Sequence, residues 1–297
     1  MNTRTGTSIC LFGAYPVRVD GLPFRLGISG STEKLFQYLL VHMEKESRRE
    51  YLADLFWRGS SSGRQRSALN SAIWRIKRQL RNVEGVELYC DGPAVFLHVN
   101  ESVHVDATEL AAIVHSLSSG DGISEAVAKR LHQALDACDA PFMDGVNSSW
   151  VLAERERLFN IQIRGMTILM HWLGQKRRYE DALEIGRRLL AEDPARESAQ
   201  REVMWLYVLN GQRAQAIRQY LEFEAWLRRE LDIEPMPETR ALYQHIRLEL
   251  GASRLREASS PASGSDAESR RAAFNLLLGA IERSRRDLYE VLSQQLS

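Results

Sequence analysis

Six cations and no acid lie between Arg64 and Arg81: Arg64, Arg66, Arg75, Lys77, Arg78 and Arg81, with Asn70, Ser71 and Trp74 set among them. These side-chain types recognise nucleic acid rather than transform a substrate. Arginine and lysine meet phosphates and guanine edges, asparagine reads adenine, and serine serves either role. Leu69, Ile73, Ile76 and Leu80 recur at helical spacing through the same segment. Gly63 to Leu80 is therefore expected to form one helix with an apolar stripe and an all-positive polar surface. Taken alone, such a helix also fits an ordinary solvated basic face, so its surroundings decide.

No other residue pattern competes with a chemistry of its own. The chain lacks a GxxxxGK[ST] phosphate loop, a GxGxxG after a strand, a GxSxG elbow and an HExxH pair. Its seven histidines, His42, His98, His104, His115, His132, His171 and His245, are scattered. Cys10, Cys90 and Cys138 show no CxxC or Cys/His pairing, which argues against a zinc site or a disulfide framework and fits a reducing compartment. Carboxylates on the helical segments alternate with arginine, as in Glu154-Arg155-Glu156-Arg157, the mark of a solvated face. The expectation is a protein without enzymatic activity, cofactor or metal.

The elements around the basic helix give it a context. Ile9 to Leu26 reads as short strands broken by the turn signal Asp20-Gly21. Ser31 or Thr32 is expected to cap a helix reaching about Met43, and Arg49 to Trp57 forms a second, with Tyr51, Leu52, Leu55 and Phe56 as its stripe. The Gly/Ser loop from Gly59 to Gly63 separates it from the basic helix. Val86 to Tyr89 and Ala94 to Val99 then flank Cys90-Asp91-Gly92-Pro93 as strand, turn, strand. Strands, three helices and a hairpin are the order of a winged helix-turn-helix, in which the third helix enters the major groove and the hairpin lies against the backbone or minor groove.

Length and charge agree with two domains. The chain has 297 residues, 44% hydrophobic and 26% charged, with Lys plus Arg equal to Asp plus Glu at 39 each. The balance is local: Met1 to Val105 carries fourteen basic and ten acidic residues, a surplus of four that the remainder must cancel. MNTRTGTSICLFG lacks the apolar core of a signal peptide, and no run of eighteen apolar residues occurs, so a cytoplasmic protein with no membrane contact is expected. The short stretch before the first strand leaves no room for a receiver domain.

The remainder reads as helical from Asp106, with periodic segments at Glu125–Cys138, Trp150–Leu173, Tyr179–Ala191, Glu197–Leu209, Arg213–Leu231 and Glu238–Leu250. Gly174 to Pro194 and Gly211 to Pro235 echo one another at a spacing of 37 residues, near the tetratricopeptide period, with Ala182, Ala214 and Ala216 as small packing residues. Trp150, Trp172, Trp205 and Trp226 are expected to pack between helices. Stacked helical hairpins leave a concave surface suited to protein or peptide. After Gly251 a Ser/Ala/Gly-rich stretch reads as a flexible linker, 251–269, followed by an amphipathic helix, 270–297, with Phe274, Leu277, Leu278, Ile281, Leu288, Val291, Leu292 and Leu296 on one stripe. That stripe suits docking on the helical domain, pairing with a second copy, or another protein.

Several segments carry a family likeness: LADLFWRG at Leu52–Gly59, RSALNSAIWRIKRQL at Arg66–Leu80, VHVDATEL at Val103–Leu110, FMDG at Phe142–Gly145, WVLAERERL at Trp150–Leu158 and LRRELDIEPMPETRALYQHI at Leu227–Ile246. Over about Ile9 to Leu250 the chain resembles the bacterial transcriptional activator domain (BTAD) regulators of the SARP type, an OmpR-like winged helix fused to a tetratricopeptide-like helical domain. The resemblance implies a mainly α fold with a small α+β domain: winged helix at 1–105, activator domain at 106–250. It also implies a bacterial, nucleoid-associated transcriptional activator that binds double-stranded promoter DNA at direct repeats as a homodimer and recruits RNA polymerase. One position departs: the family's wing ends in glycine, tyrosine, arginine and leucine, whereas this chain has Ala94, Val95, Phe96 and Leu97.

The residues assigned to DNA follow from this order. Arg66, Asn70, Ser71, Trp74, Arg75 and Arg78 approach bases; Arg64, Lys77 and the loop from Arg58 meet phosphate. Ser31 and Thr32 offer hydroxyls and helix-start amides, and His98 or another wing residue is expected to substitute weakly for the absent wing arginine. The rival reading is a helical-repeat adaptor whose degenerate winged helix binds protein.

Overall fold

The computed structural model describes residues 6–13, 17–19, 22–23, 27–117 and 123–257. It is mainly helical with two small sheets, and the chain divides after Arg240 into two units, of which the first carries the candidate interface.

The N-terminal strands are β1 (Thr7–Ile9), β2 (Val17–Val19) and β3 (Leu22–Pro23). Helix α1 (Ser31–Val41) buries Leu35, Phe36, Leu39 and Leu40 on one stripe. Its N-cap is Gly30, at φ 61°, with no side-chain hydrogen bond. The expected capping by Ser31 or Thr32 therefore does not occur: both are already helical, and Thr32 is buried. Strand β4 (Ser47–Arg48) leads into α2 (Arg49–Trp57), and Gly59, at φ +91°, makes the turn into α3 (Ser62–Leu80). Strands β5 (Val86–Tyr89) and β6 (Ala94–Val99) form the hairpin.

β6 lies between β5 and β4, in antiparallel register with Leu88 opposite Leu97 and Ser47 opposite Val95. Val86, Leu88, Val95 and Leu97 all face the core, so a one-residue slip would turn the whole set to solvent. The other sheet has the order β3-β2-β1-β7, where β7 (His104–Val105) runs parallel to β1. β1 is shorter than ICLFG suggests. The amides of Leu11 and Phe12 leave the ladder to bond a carboxylate of the next domain, and Phe12 instead bridges to Phe142.

The second domain begins with α4 (Asp106–Ser116), a helix that periodicity alone did not single out, and continues through α5 (Glu125–Ala137), α6 (Ser149–Gln175), α7 (Tyr179–Glu192), α8 (Glu197–Leu209), α9 (Arg213–Glu230) and α10 (Pro237–Glu257). α6 is the spine, packing on α4, α5 and α7, after which α7 packs on α8 and α8 on α9. Trp172 is buried and donates from Nε1 to the Ile123 carbonyl at 3.0 Å. Ala182 and Ala216 are fully buried, whereas Ala214 faces solvent and takes no part in close packing. α10 runs through Gly251 to Glu257, beyond the expected linker start, because Ala252, Arg254, Leu255, Arg256 and Glu257 are good helix formers that tolerate one glycine. The rest of that linker and the expected terminal helix lie outside the described residues. No helix among the described residues is long and apolar enough to cross a membrane.

The tightest helix contact is at Gly186. A Cβ there would stand 2.6 Å from Val203 Cγ2 and 3.0 Å from Met170 Sδ, so α7 is held against both α6 and α8. Val203 and Met170 are themselves fully buried. Gly186→Ala is expected to lower stability by about 1–2 kcal/mol in a urea melt, the overpacking cost exceeding the gain of roughly 1 kcal/mol in helix propensity.

Candidate nucleic-acid interface

Helix α3 exists as two faces because its apolar residues fall four, three and four apart. Leu69, Ala72, Ile73, Ile76 and Leu80 are buried, and the rest of the surface between Arg64 and Arg81 is polar apart from Ala68 and Trp74. With about 100° per residue, Ser67, Ser71, Trp74 and Arg78 fall along the outward line. Arg64 and Arg75 flank it on one side, and Arg66, Asn70 and Lys77 on the other. All of these side chains are exposed. Among the described residues, no carboxylate pairs with Arg66, Arg75, Lys77 or Arg78. The helix thus presents uncompensated positive charge, the condition for attracting phosphate.

Local bonds set some of these groups. Arg64 Nε donates to Ser61 Oγ at 3.3 Å, at the helix start, where Ser61 makes no capping bond of its own. Ser71 Oγ donates to the Ser67 carbonyl at 3.0 Å, so its oxygen is left as an acceptor. The Arg78 guanidinium lies over the Trp74 ring, 5.5 Å from the centroid. Gln65 Nε2 donates to the Trp57 carbonyl at 3.2 Å, fixing the start of α3 against the end of α2. Arg58, highly exposed, faces Asp54 at 3.6 Å, a surface pair worth at most about 1 kcal/mol and open to exchange for phosphate.

Two expected contacts are not brought to this surface. Thr32 is 5% exposed, so of the two hydroxyls at the start of α1 only that of the half-buried Ser31 reaches solvent. His98 turns to a carboxylate: its Nδ1 lies 3.0 Å from Glu44, which also accepts the Val99 amide at 2.7 Å. Partial burial raises the Glu44 carboxyl, but the Val99 amide and His98 outweigh it and hold it below its ordinary range. Glu44 sits at φ 61° in the turn after α1 and ties that turn to the end of β6. His98 thus braces the wing through Glu44 while its side chain stays partly exposed. The hairpin carries Glu87 and Asp91 and no lysine or arginine. Its outer side bears a stacked pair, Tyr89 on Phe96, with centroids 5.0 Å apart.

The winged helix is fastened to the helical domain at three places that residue patterns did not reveal. The Asp106 carboxylate, 3% exposed at the start of α4, accepts the amides of Leu11 (2.9 Å), Phe12 (3.1 Å) and Ala107 (2.6 Å). Burial pushes its pKa up to about 6 despite those bonds. Phe12 meets Phe142 edge-on at 5.4 Å, flanked by backbone bonds from Gly13 to Pro141 and from Met143 to Leu11. Arg155 supports that loop by donating to the carbonyls of Phe142, Met143 and Val146. On the other side, Tyr38 of α1 packs edge-on against Trp150 of α6 at 5.3 Å.

The described residues hold no group of His, Cys, Asp and Glu able to bind a metal ion. Two clefts of the surface are polar. One of about 390 Å³ is lined by His104, Asp106, Glu109 and Arg130, where His104 and Arg130 already pair with Glu109.

Residues 105–247 match the bacterial transcriptional activator domain. The transcriptional regulatory protein MoaR1 of Mycobacterium bovis (strain BCG / Pasteur 1173P2) is 26% identical over 251 residues, 80% of this chain and 78% of that protein. MoaR1 of Mycobacterium tuberculosis (strain ATCC 25618 / H37Rv) is 25% identical over the same shares. Among solved structures, Mycobacterium tuberculosis EmbR, in complex with a low affinity phosphopeptide, superposes with a TM-score of 0.66 at 18% identity, over 93% of this chain and 70% of that one. EmbR shares the fold. Residues 105–247 are thus a bacterial transcriptional activator domain, and over most of its length the chain is similar to transcriptional regulators that carry one.

Proposed function

We propose that the protein binds specific double-stranded DNA through α3 and activates transcription from adjacent promoters. The observation that carries this reading is the exposed surface of α3, where five cations stand with no acid among them and Arg81 follows at the C-cap. Arg66, Asn70, Ser71, Trp74, Arg75 and Arg78 face the major groove. Arg64, Lys77, Arg58 and the amides at the starts of α3 and α1, beside Ser31, meet phosphates. With no cation on the hairpin, α3 supplies most of both affinity and sequence preference. The family likeness supports direct-repeat sites occupied by two copies, recruitment of RNA polymerase by the helical domain, and association with the nucleoid.

A gel-shift titration against genomic fragments at two salt concentrations tests this. Complexes that survive competitor DNA support it; uniformly weak, salt-sensitive binding supports the protein-binding adaptor, which the acidic wing favours. Lys77→Ala is expected to weaken all sequences alike and to reduce the slope of log affinity against log salt by about one.

A further inference from the structure

We propose that Trp74 reads a thymine methyl group, and that it does so with Arg78 held against its ring. This rests on the DNA-binding reading above. Trp74 is 59% exposed on the outward line of α3, in the middle of a surface otherwise polar and cationic. Single exposed apolar residues need no special account in general. This one stands where a groove-reading helix makes its closest approach, and its indole offers a broad apolar face with one neutral N–H where its neighbours offer charge. The one strongly apolar feature on the floor of the major groove is the C5-methyl of thymine. Among the described residues of the winged helix, the other strongly exposed aromatic side chains, Tyr51 and Tyr89, lie on α2 and the hairpin, and Trp74 is the aromatic residue of α3.

The Arg78 guanidinium, 5.5 Å from the indole centroid, is within cation–π range, so its position on the helix is set before DNA arrives. Guanidinium pairs with guanine O6 and N7. Successive bases on a strand are about 3.4 Å apart, so the two groups span less than two base steps. The pair therefore recognises a thymine within two base pairs of a guanine.

Selection of the full chain on a randomised duplex pool yields its preferred sequence; uracil is then placed singly at each thymine, removing only the methyl. At one thymine near a guanine, uracil is expected to weaken the wild-type chain about fourfold, the value of one buried methyl group, and to leave Trp74→Ala unaffected. Trp74→Phe, which keeps an apolar ring, retains part of the sensitivity, and unchanged thermal melts establish that the variants fold. Equal uracil penalties in wild type and Trp74→Ala, or none at any thymine, overturn the thymine role while leaving DNA recognition intact. A wild-type chain that selects no sequence overturns the DNA-binding reading, and this inference with it.

Discussion

Replacing Arg75 and Arg78 together with alanine is expected to lower affinity for the selected operator at least about 30-fold, while the thermal melt stays unchanged. Each arginine stands exposed on α3 with no carboxylate partner, so removal leaves no orphaned group in the protein. A bidentate arginine contact to a base is worth about 1–3 kcal/mol, and two fall on the same helix face. Fluorescence anisotropy on operator and on scrambled duplex distinguishes base reading from charge. Loss confined to the operator marks readers; equal loss on both marks phosphate holders. Unchanged operator affinity would remove α3 from the interface.

Asp106→Ala is expected to lower stability by about 3 kcal/mol or more, because it strips the acceptor from three amides, two of them ninety-four or more residues away in the chain. The carboxylate also makes stability depend on pH. Its folded pKa, about 6, is raised by burial above the ordinary value of 3.8, so between roughly pH 4 and 6 the folded state holds more protons than the unfolded state. Stability contributed by this group therefore falls as pH rises through that window. Asp106→Asn removes the titration, and the Asn side chain turns an N–H toward an amide that needs an acceptor. In urea melts, the wild type is expected to gain about 1.5 kcal/mol relative to Asp106→Asn on going from pH 7.5 to pH 5. The difference is read between the two proteins because His104, Glu109 and Arg130 line the same cleft and are common to both. A difference that does not change with pH would mean that Asp106 titrates normally.

What the sequence discloses divides by how far apart the interacting residues lie. The stripe of α3, the alternation in β5 and β6 and the helices from α5 onward rest on spacings of two to four residues, so they were legible to within a residue or two at most ends. The roles of Asp106 and Glu44 were not. Their partners sit ninety-five and fifty-five residues away, and a carboxylate in sequence carries no sign of which amide it will accept. The contact of the His98 ring nitrogen with Glu44 was hidden for the same reason. Thr32 failed differently. Threonine is a favoured capping residue, but Gly30 takes the non-helical position and leaves Thr32 second in the helix, on its buried side. β4 and β7, two residues each, are too short for any periodicity to register.

The three fastenings between the winged helix and the helical domain have a consequence for geometry on DNA. A domain joined by a loose tether sweeps out a sphere and contacts a neighbour wherever the neighbour lies. Here Asp106, the Phe12–Phe142 contact and the Tyr38–Trp150 contact fix the helical domain to the body that carries α3. On the proposed mode of binding, seating α3 in the groove sets the azimuth of the helical domain around the duplex. A partner bound further along the same DNA is then met in phase only at separations near whole turns of about 10 base pairs, so spacing is counted in turns rather than in length.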